Sequence, residues 1–226
     1  MAPRRTPRRP SRPAGLLLAP GAGSNRDHPA LVAIEAAVAP LAVVRMDFPY
    51  RQAGRRAPDR APVLSTALRA EAESLAAGLG VGTARLVLGG RSMGGRIASM
   101  VAAGGGDAGD ALPVAGLVLV SYPLHPPGRP ERLRIEHLPR LRVPCLFIHG
   151  TKDPFGSLED LVAHTAVIVG PVTHVWVDGG THELRRAEAR VASEVVEWLA
   201  STRSCSPPTH RSSADRPISR SSTAGS

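Results

Sequence analysis

Three residues of this chain, Ser92, Asp153 and His182, have the side-chain types and the chain order that nucleophilic acyl transfer requires. A serine hydroxyl is a poor nucleophile near neutral pH and needs a base within hydrogen-bond reach; that base needs a carboxylate to fix its tautomer. Ser92 lies in Gly90-Arg91-Ser92-Met93-Gly94, a G-x-S-x-G pentapeptide. Such a pentapeptide arises readily by chance, and its plain reading is a glycine-rich turn before a helix, so its context must decide. Here a short apolar strand, Leu86 to Leu88, stops at glycine, and a helix starts just after the serine and ends at Gly104-Gly105-Gly106. In a nucleophile elbow the serine occupies a strained strand-to-helix turn, and glycines on either side let the backbone segments approach. The helix N-terminus then presents free N–H groups and a positive dipole end, and the Met93 N–H is expected to face a developing oxyanion.

The acid and the base follow in order. Asp153 stands in Gly-Thr-Lys-Asp-Pro after a strand ending at His149; its plain reading is a turn residue, and Asp178 and Asp160 are the substitutes. His182 stands in Gly-Gly-Thr-His-Glu-Leu after the last strand, where preceding glycines let the loop reach back over the sheet; its plain reading is a capping or solvated histidine. His174 falls mid-strand and His149 at a strand end, so both read as structural, while His125 competes for the base position. A second oxyanion donor is expected from the loop after the first strand, Pro20-Gly21-Ala22-Gly23, with the Ala22 N–H first and that of Gly23 next. Gly23, Asp47, Tyr50, Arg51, Arg91, Tyr122 and His125 stand beside the same edge as candidate pocket residues, and Asp47 is equally suited to tying down its loop.

These residues need a scaffold that brings distant loops to one edge. Apolar runs at 16–19, 42–46, 86–88, 115–120, 144–149 and 173–177 read as six strands without polar alternation. Helical stretches at 30–39, 63–79, 158–167 and 184–200 alternate with them, the first capped by Asp27 or His28 with Pro29 in its opening turn. Over 63–79, Leu64, Leu68, Ala72, Leu75 and Leu79 share a face; over 184–200, Leu184, Val191, Val195, Trp198 and Leu199 point inward. Residues 51–62 read as a polar loop and 126–143 as a proline-rich link too short for a large lid. The pattern is an α/β fold, a mostly parallel sheet of about six strands with helices on both faces. In such sheets the chemistry gathers at the C-terminal strand edge, where every loop named above falls.

Composition narrows the class further. The net charge is +9, but residues 1–13 hold +5 of it and residues 201–226 hold +3, so the body is nearly neutral. Two basic tails on a neutral body do not make a nucleic-acid face, and nucleic acid is not the expected partner. Cys145 and Cys205 have no evident pairing, which fits a reducing compartment, and a cytoplasmic location is expected. Arg8-Arg9 before Ala14 to Ala19 imitates an export signal, yet the apolar run is short, is cut by Pro20 and is needed as the first strand. No run is long enough to span a bilayer, and no membrane association is expected. Metal-ligand spacings, dinucleotide fingerprints and phosphate loops are absent, so neither a metal nor a cofactor is expected.

The chain resembles the small, lidless α/β-hydrolases of the dienelactone-hydrolase-like kind, nearest to the branch holding the hydrolase-like subunit of the NSL histone acetyltransferase complex and its testis-expressed relative. The resemblance rests on Leu-Leu-Ala-Pro-Gly-Ala-Gly (17–23), Met-Asp-Phe-Pro-Tyr-Arg (46–51) and Gly-Gly-Arg-Ser-Met-Gly-Gly-Arg (89–96). It also rests on Ser-Tyr-Pro-Leu-His-Pro-Pro-Gly (121–128), His-Gly-Thr-Lys-Asp-Pro-Phe-Gly (149–156) and Gly-Gly-Thr-His (179–182). It implies an α/β-hydrolase domain, expected over 14–200, with Ser92, Asp153 and His182 in the triad positions; it covers neither the Pro/Arg-rich 1–13 nor the Ser/Thr/Arg-rich 201–226, whose compositions read as a disordered arm and tail. Pro20 departs from the pattern, since many relatives carry histidine there. The expected activity is serine hydrolysis of a small ester, thioester or related acyl substrate. The alternative is a non-catalytic binding or scaffold module on the same fold. The oligomeric state is open.

Overall fold

The computed structural model of the protein describes residues 12–202; the remainder of the expected arm and tail lies outside the described residues. Six strands form one sheet in the order β2-β1-β3-β4-β5-β6: β1 (Gly15–Ala19), β2 (Ala42–Arg45), β3 (Leu86–Arg91), β4 (Gly116–Val120), β5 (Cys145–Gly150) and β6 (Val172–Val177). Every neighbouring pair is parallel, so "mostly parallel" becomes wholly parallel among the described residues. Alternate strand residues serve two cores. Leu17, Leu88, Leu119 and Phe147 face one side, Leu16, Leu18, Val118 and Ile148 the other, which is why the strands lack polar alternation.

Helices α1 (Pro29–Ala37) and α6 (Glu188–Ser201) cover the second side through Leu31, Ile34, Val191, Val195 and Trp198. Helices α3 (Ala61–Gly78), α4 (Met93–Ala103) and α5 (Leu158–Thr165) cover the first through Leu64, Leu68, Ile97, Val101 and Leu161. The chain runs from β1 outward to β2 and then returns to the other side of β1 as β3. The direction of winding reverses there, and a crevice opens at the C-terminal ends of β1 and β3.

Several boundaries differ from expectation, each for a local reason. A short helix α2 (Pro49–Gln52) occupies the start of the predicted loop, and α3 begins before residue 63. Both have proline in the first turn, where its fixed φ suits the helix and its missing N–H is not needed. Leu79 lies past the end of α3 and is partly exposed, so Ser65 and Ala76 share the buried face instead. The last helix starts at Glu188, not Leu184, because Leu184 and Arg186 adopt positive φ (48° and 64°). Leu184 is nonetheless buried, turned against Gly180.

The elbow depends on absent side chains. A Cβ on Gly90 or on Gly94 would lie 2.2 Å from the Ala19 carbonyl oxygen, and one on Gly95 would lie 2.8 Å from that of Gly90. Gly94→Ala should therefore destabilise the protein by about 3 kcal/mol or more. Gly78→Ala, at an exposed helical position with nothing within 4 Å of the new methyl, should be neutral or stabilising by up to ~1 kcal/mol. Urea unfolding of the two variants beside wild type checks both; equal effects would contradict the packing account.

Candidate active site

Ser92 sits between β3 and α4 with φ 51° and ψ −118°, and Gly90, two residues earlier, also has positive φ (158°). Such a conformation costs about 1–3 kcal/mol in a non-glycine residue and persists only when its surroundings fix it. Here they do: the Ser92 N–H donates to the Val120 carbonyl (2.8 Å), and the Ser92 carbonyl accepts from Arg96 N–H (3.1 Å) in the first turn of α4. The sharp turn leaves the Ser92 hydroxyl facing a cavity of about 700 Å³.

His182 reaches that hydroxyl from the loop after β6, its Nε2 lying 2.9 Å from Ser92 Oγ. Its Nδ1 lies 2.8 Å from Asp153 Oδ2. An ionised carboxylate only accepts, so Nδ1 carries the proton and Nε2 is left as the acceptor for the serine O–H. Asp153 is buried, and its other oxygen, Oδ1, accepts from Phe155 N–H (2.9 Å), closing an Asx turn that aims the carboxylate. The loops carrying Asp153 and His182 are stitched together by Lys152 N–H to the Gly180 carbonyl (2.8 Å) and Thr151 N–H to that of Val177 (3.0 Å). A Cβ on Gly150 would strike Gly180 O at 2.2 Å, so this stitching requires glycine.

Three further side chains brace His182 and Asp153. Buried Arg91 donates to the His182 carbonyl (3.1 Å) and to Glu183 Oε1 (2.5 Å), tying the residue before the serine to the histidine loop. The Phe155 ring stands edge-on to His182 with centroids 4.3 Å apart. Behind Asp153, fully buried His149 donates from Nε2 to the Gly156 carbonyl (3.1 Å), with that nitrogen 3.6 Å from Asp153 Oδ2. Burial lowers the His149 pKa despite the nearby carboxylate, so it braces the loop as a neutral ring.

The loop after β1 meets the serine from the opposite side. A Cβ on Gly21 would lie 3.5 Å from Ser92 Cβ, and Ala22, Gly23 and Met93 all line the cavity. The N–H groups of Ala22 and Met93 have no hydrogen-bond partner among the described residues. Tyr50 fixes this loop: its hydroxyl donates to the Ala22 carbonyl at 2.8 Å. In a trans peptide the Gly23 N–H points opposite to that carbonyl.

The remaining candidates divide. Arg91, Gly23 and His125 line the cavity; Asp47, Tyr50 and Tyr122 do not. Asp47 accepts from Arg26 N–H (2.8 Å) and secures its loop, and Tyr50 is buried under Ala22. Tyr122 is buried in a knot with His137 and Ser99 beneath the site, and burial raises its pKa to about 12. His125 does not contact Ser92; its Nδ1 is 2.9 Å from the Pro126 carbonyl. Asp178 pairs with Thr151 and Asp160 with Ser157, so neither substitutes for Asp153. Sequence reasoning did not single out Phe155, Glu183 or Arg96, although each stands in or beside a matching stretch, nor Arg134, which no motif contains; all four line the cavity. Among the described residues, no group of three or more His, Cys, Asp or Glu side chains could hold a metal ion, and no helix is long and apolar enough to cross a membrane.

A second serine–histidine contact lies deeper. Ser99 Oγ is 2.7 Å from His137 Nε2, but both are buried and the serine proton already serves the Arg96 carbonyl (2.7 Å). His137 must then donate, which makes the pair a structural knot rather than a base poised over a nucleophile.

Fold and site together define the class. The family model of the alpha/beta hydrolase domain matches residues 12–205, and the chain belongs to that family. Among solved structures it is similar to Est1E from Butyrivibrio proteoclasticus (TM-score 0.67, 16% identity, covering 87% of this chain and 90% of that one). It is also similar to an alpha-beta serine hydrolase homologue from Coxiella burnetii (TM-score 0.65, 19% identity, covering 83% and 86%). A third is Thermogutta terrifontis esterase 2 (TM-score 0.64, 18% identity, covering 86% and 85%). All three share its fold.

Burial depresses two histidine pKa values beneath the site: that of His149, and that of His137, to about 3, with Arg96 and Arg140 pushing the same way. Unfolded histidines titrate near about 6.5, so the unfolded chain takes up protons first as pH falls. The stabilisation is complete above about pH 6.5 and is lost progressively below it. Urea-unfolding free energies measured from pH 7.5 down to 4.5 should decline, and His137→Asn should show a shallower decline. A slope unchanged by the substitution would contradict the burial account.

Proposed function

We propose that the protein is a serine hydrolase acting on a small ester, thioester or related acyl substrate through Ser92, His182 and Asp153. The observation that carries this reading is the unbroken chain of hydrogen bonds from Asp153 through His182 to Ser92, ending at a cavity open to solvent. His182 Nε2 takes the Ser92 proton as Oγ attacks the acyl carbon. Asp153 steadies the imidazolium that results. The Met93 and Ala22 N–H groups, with Gly23 beside them, receive the negative charge that develops on the carbonyl oxygen. As the tetrahedral species collapses, the bond to the leaving oxygen or sulfur breaks and His182 returns the proton to it. The acyl group stays on Ser92 as an ester. Water, deprotonated by His182, then attacks that ester, and the acid departs as Ser92 regains its proton.

Membership of the dienelactone-hydrolase-like branch is part of the same proposal, supported by the six matching stretches between residues 17 and 182. The similar structures add circumstantial support, since one is an esterase phosphoramylated by tabun and another was described with ferulic acid bound. The link between β4 and β5 holds only a single turn of 3-10 helix, Leu138–Arg140, and builds no lid over the cavity.

Hydrolysis of 4-nitrophenyl esters of graded chain length tests the reading. Wild type should prefer short acyl chains. Ser92→Ala and His182→Ala should each lower kcat/KM by roughly 10³-fold or more, and Asp153→Asn by somewhat less. Folded wild-type protein that hydrolyses no ester or thioester, or variants as active as wild type, would favour a scaffold role instead.

A further inference from the structure

Five charged side chains line the cavity beside Ser92: Asp59, Arg91, Arg96, Arg134 and Glu183. Three of them have charged partners within the protein, although Arg91 Nε, like Arg96 Nε, is buried without a hydrogen bond. Arg91 and Glu183 pair with one another, and Asp59 accepts two hydrogen bonds from Arg55 (2.8 and 3.1 Å). Arg96 and Arg134 are different. Neither guanidinium has a hydrogen bond or a carboxylate within 4.0 Å among the described residues. Arg96 Nε is fully buried and unpartnered, and neither side chain is freely exposed. Both arginines also line an adjoining groove of about 730 Å³, together with Arg129, Arg132, Glu131 and Glu136, whose two carboxylates stay beyond ion-pair distance of them.

This arrangement carries an electrostatic cost. Burial lowers the Arg134 pKa, and the like charge of Arg96 lowers it further. Two half-buried guanidinium groups repel one another most where solvent screening is least. Their placement relative to the serine is set by the fold. Arg96 follows Ser92 by four residues, one turn along α4, with its N–H on the Ser92 carbonyl. Arg134 comes from the link between β4 and β5, held by its N–H on the Leu124 carbonyl (2.7 Å). A planar guanidinium recognises carboxylate and phosphate oxygens in paired hydrogen bonds, and two of them facing one cavity suit a single anionic group.

We propose that the substrate of the Ser92 site carries an anionic group, carboxylate or phosphate, that Arg96 and Arg134 hold together. This specificity rests on the hydrolase reading given above. Arg96 and Arg134 act in binding and take no proton in the reaction.

Matched ester pairs test the proposal. On the acyl side, the 4-nitrophenyl monoester of adipic acid is compared with that of adipamic acid; on the leaving-group side, 4-acetoxybenzoate with 4-acetoxybenzamide. A phosphonate in place of the adipate carboxylate distinguishes the two anion types. In at least one pair the anionic ester should show kcat/KM higher by roughly tenfold or more, mainly through KM. Arg96→Gln and Arg134→Gln should each bring that ratio towards one, and Arg96→Lys should retain part of it. Should Arg96→Gln fail to fold, Arg134→Gln carries the test. A ratio near one in every pair, or a ratio unmoved by the substitutions, overturns the proposal. If no ester is cleaved at all, the hydrolase reading fails separately. Adipate and 5-phosphonopentanoate are then titrated against the folded protein by NMR of the arginine Nε–H groups: binding lost in Arg134→Gln upholds the anion site, and no binding overturns it.

Discussion

The distance between the end of β1 and the turn after β3 governs the rest of the site. Gly90 and Gly94 flank Ser92, and at each a single methyl group would collide with the carbonyl oxygen of Ala19. With nothing in that gap, the β1 loop lies against the serine, and α4 starts directly beneath the hydroxyl. The strained Ser92 backbone is held from both sides, by Val120 on the neighbouring strand and by the first turn of α4. Opening the gap would move the loop that carries Ala22 and Gly23 away from the hydroxyl and release the turn itself. Here packing comes first and the chemistry of the serine follows from it.

A second layer of polar contacts links that position to His182 and Asp153. Asp153 is buried, so an unpaired charge there would be costly, and its two oxygens are accordingly occupied by His182 and by the Phe155 N–H. Arg91 adds a constraint from within the pentapeptide, because the same guanidinium holds the His182 backbone and Glu183. Movement of the serine turn is thereby coupled to movement of the histidine loop. In the proposed reaction Arg91 serves to position these two segments and takes no part in proton transfer. Arg96 and Arg134 stand apart from these contacts, and their lack of internal partners is the ground for the anion site proposed above.

Much of this could be read from the residues. The six apolar runs located the strands because a parallel sheet covered on both faces has no polar side to show. The order serine, aspartate, histidine, each after a strand, located the loops that meet. What was lost has common causes. The starts of α2 at Pro49 and of α3 at Ala61 are hidden because a proline in the first turn also reads as a loop signal. Periodicity alone sets the start of α6 too early, because it does not reveal the positive φ at Leu184 and Arg186. Tyr50 and Tyr122 were placed near the cavity by their position after strands, but each side chain turns inward, one under Ala22 and one onto His137. Arg96 and Phe155 lie within four residues of Ser92 and Asp153, but that their side chains, and that of Arg134, line one cavity depends on the fold, which spacing along one chain does not encode.

The central claim is that Ser92 is the activated nucleophile. It is tested most directly by treating the folded protein with a fluorophosphonate probe and locating the adduct by peptide mass. The account predicts a single adduct on Ser92 that Asp153→Ala suppresses and His182→Ala abolishes, with Ser99 unmodified despite its contact with His137. An unmodified protein, or an adduct on any residue other than Ser92, would contradict it.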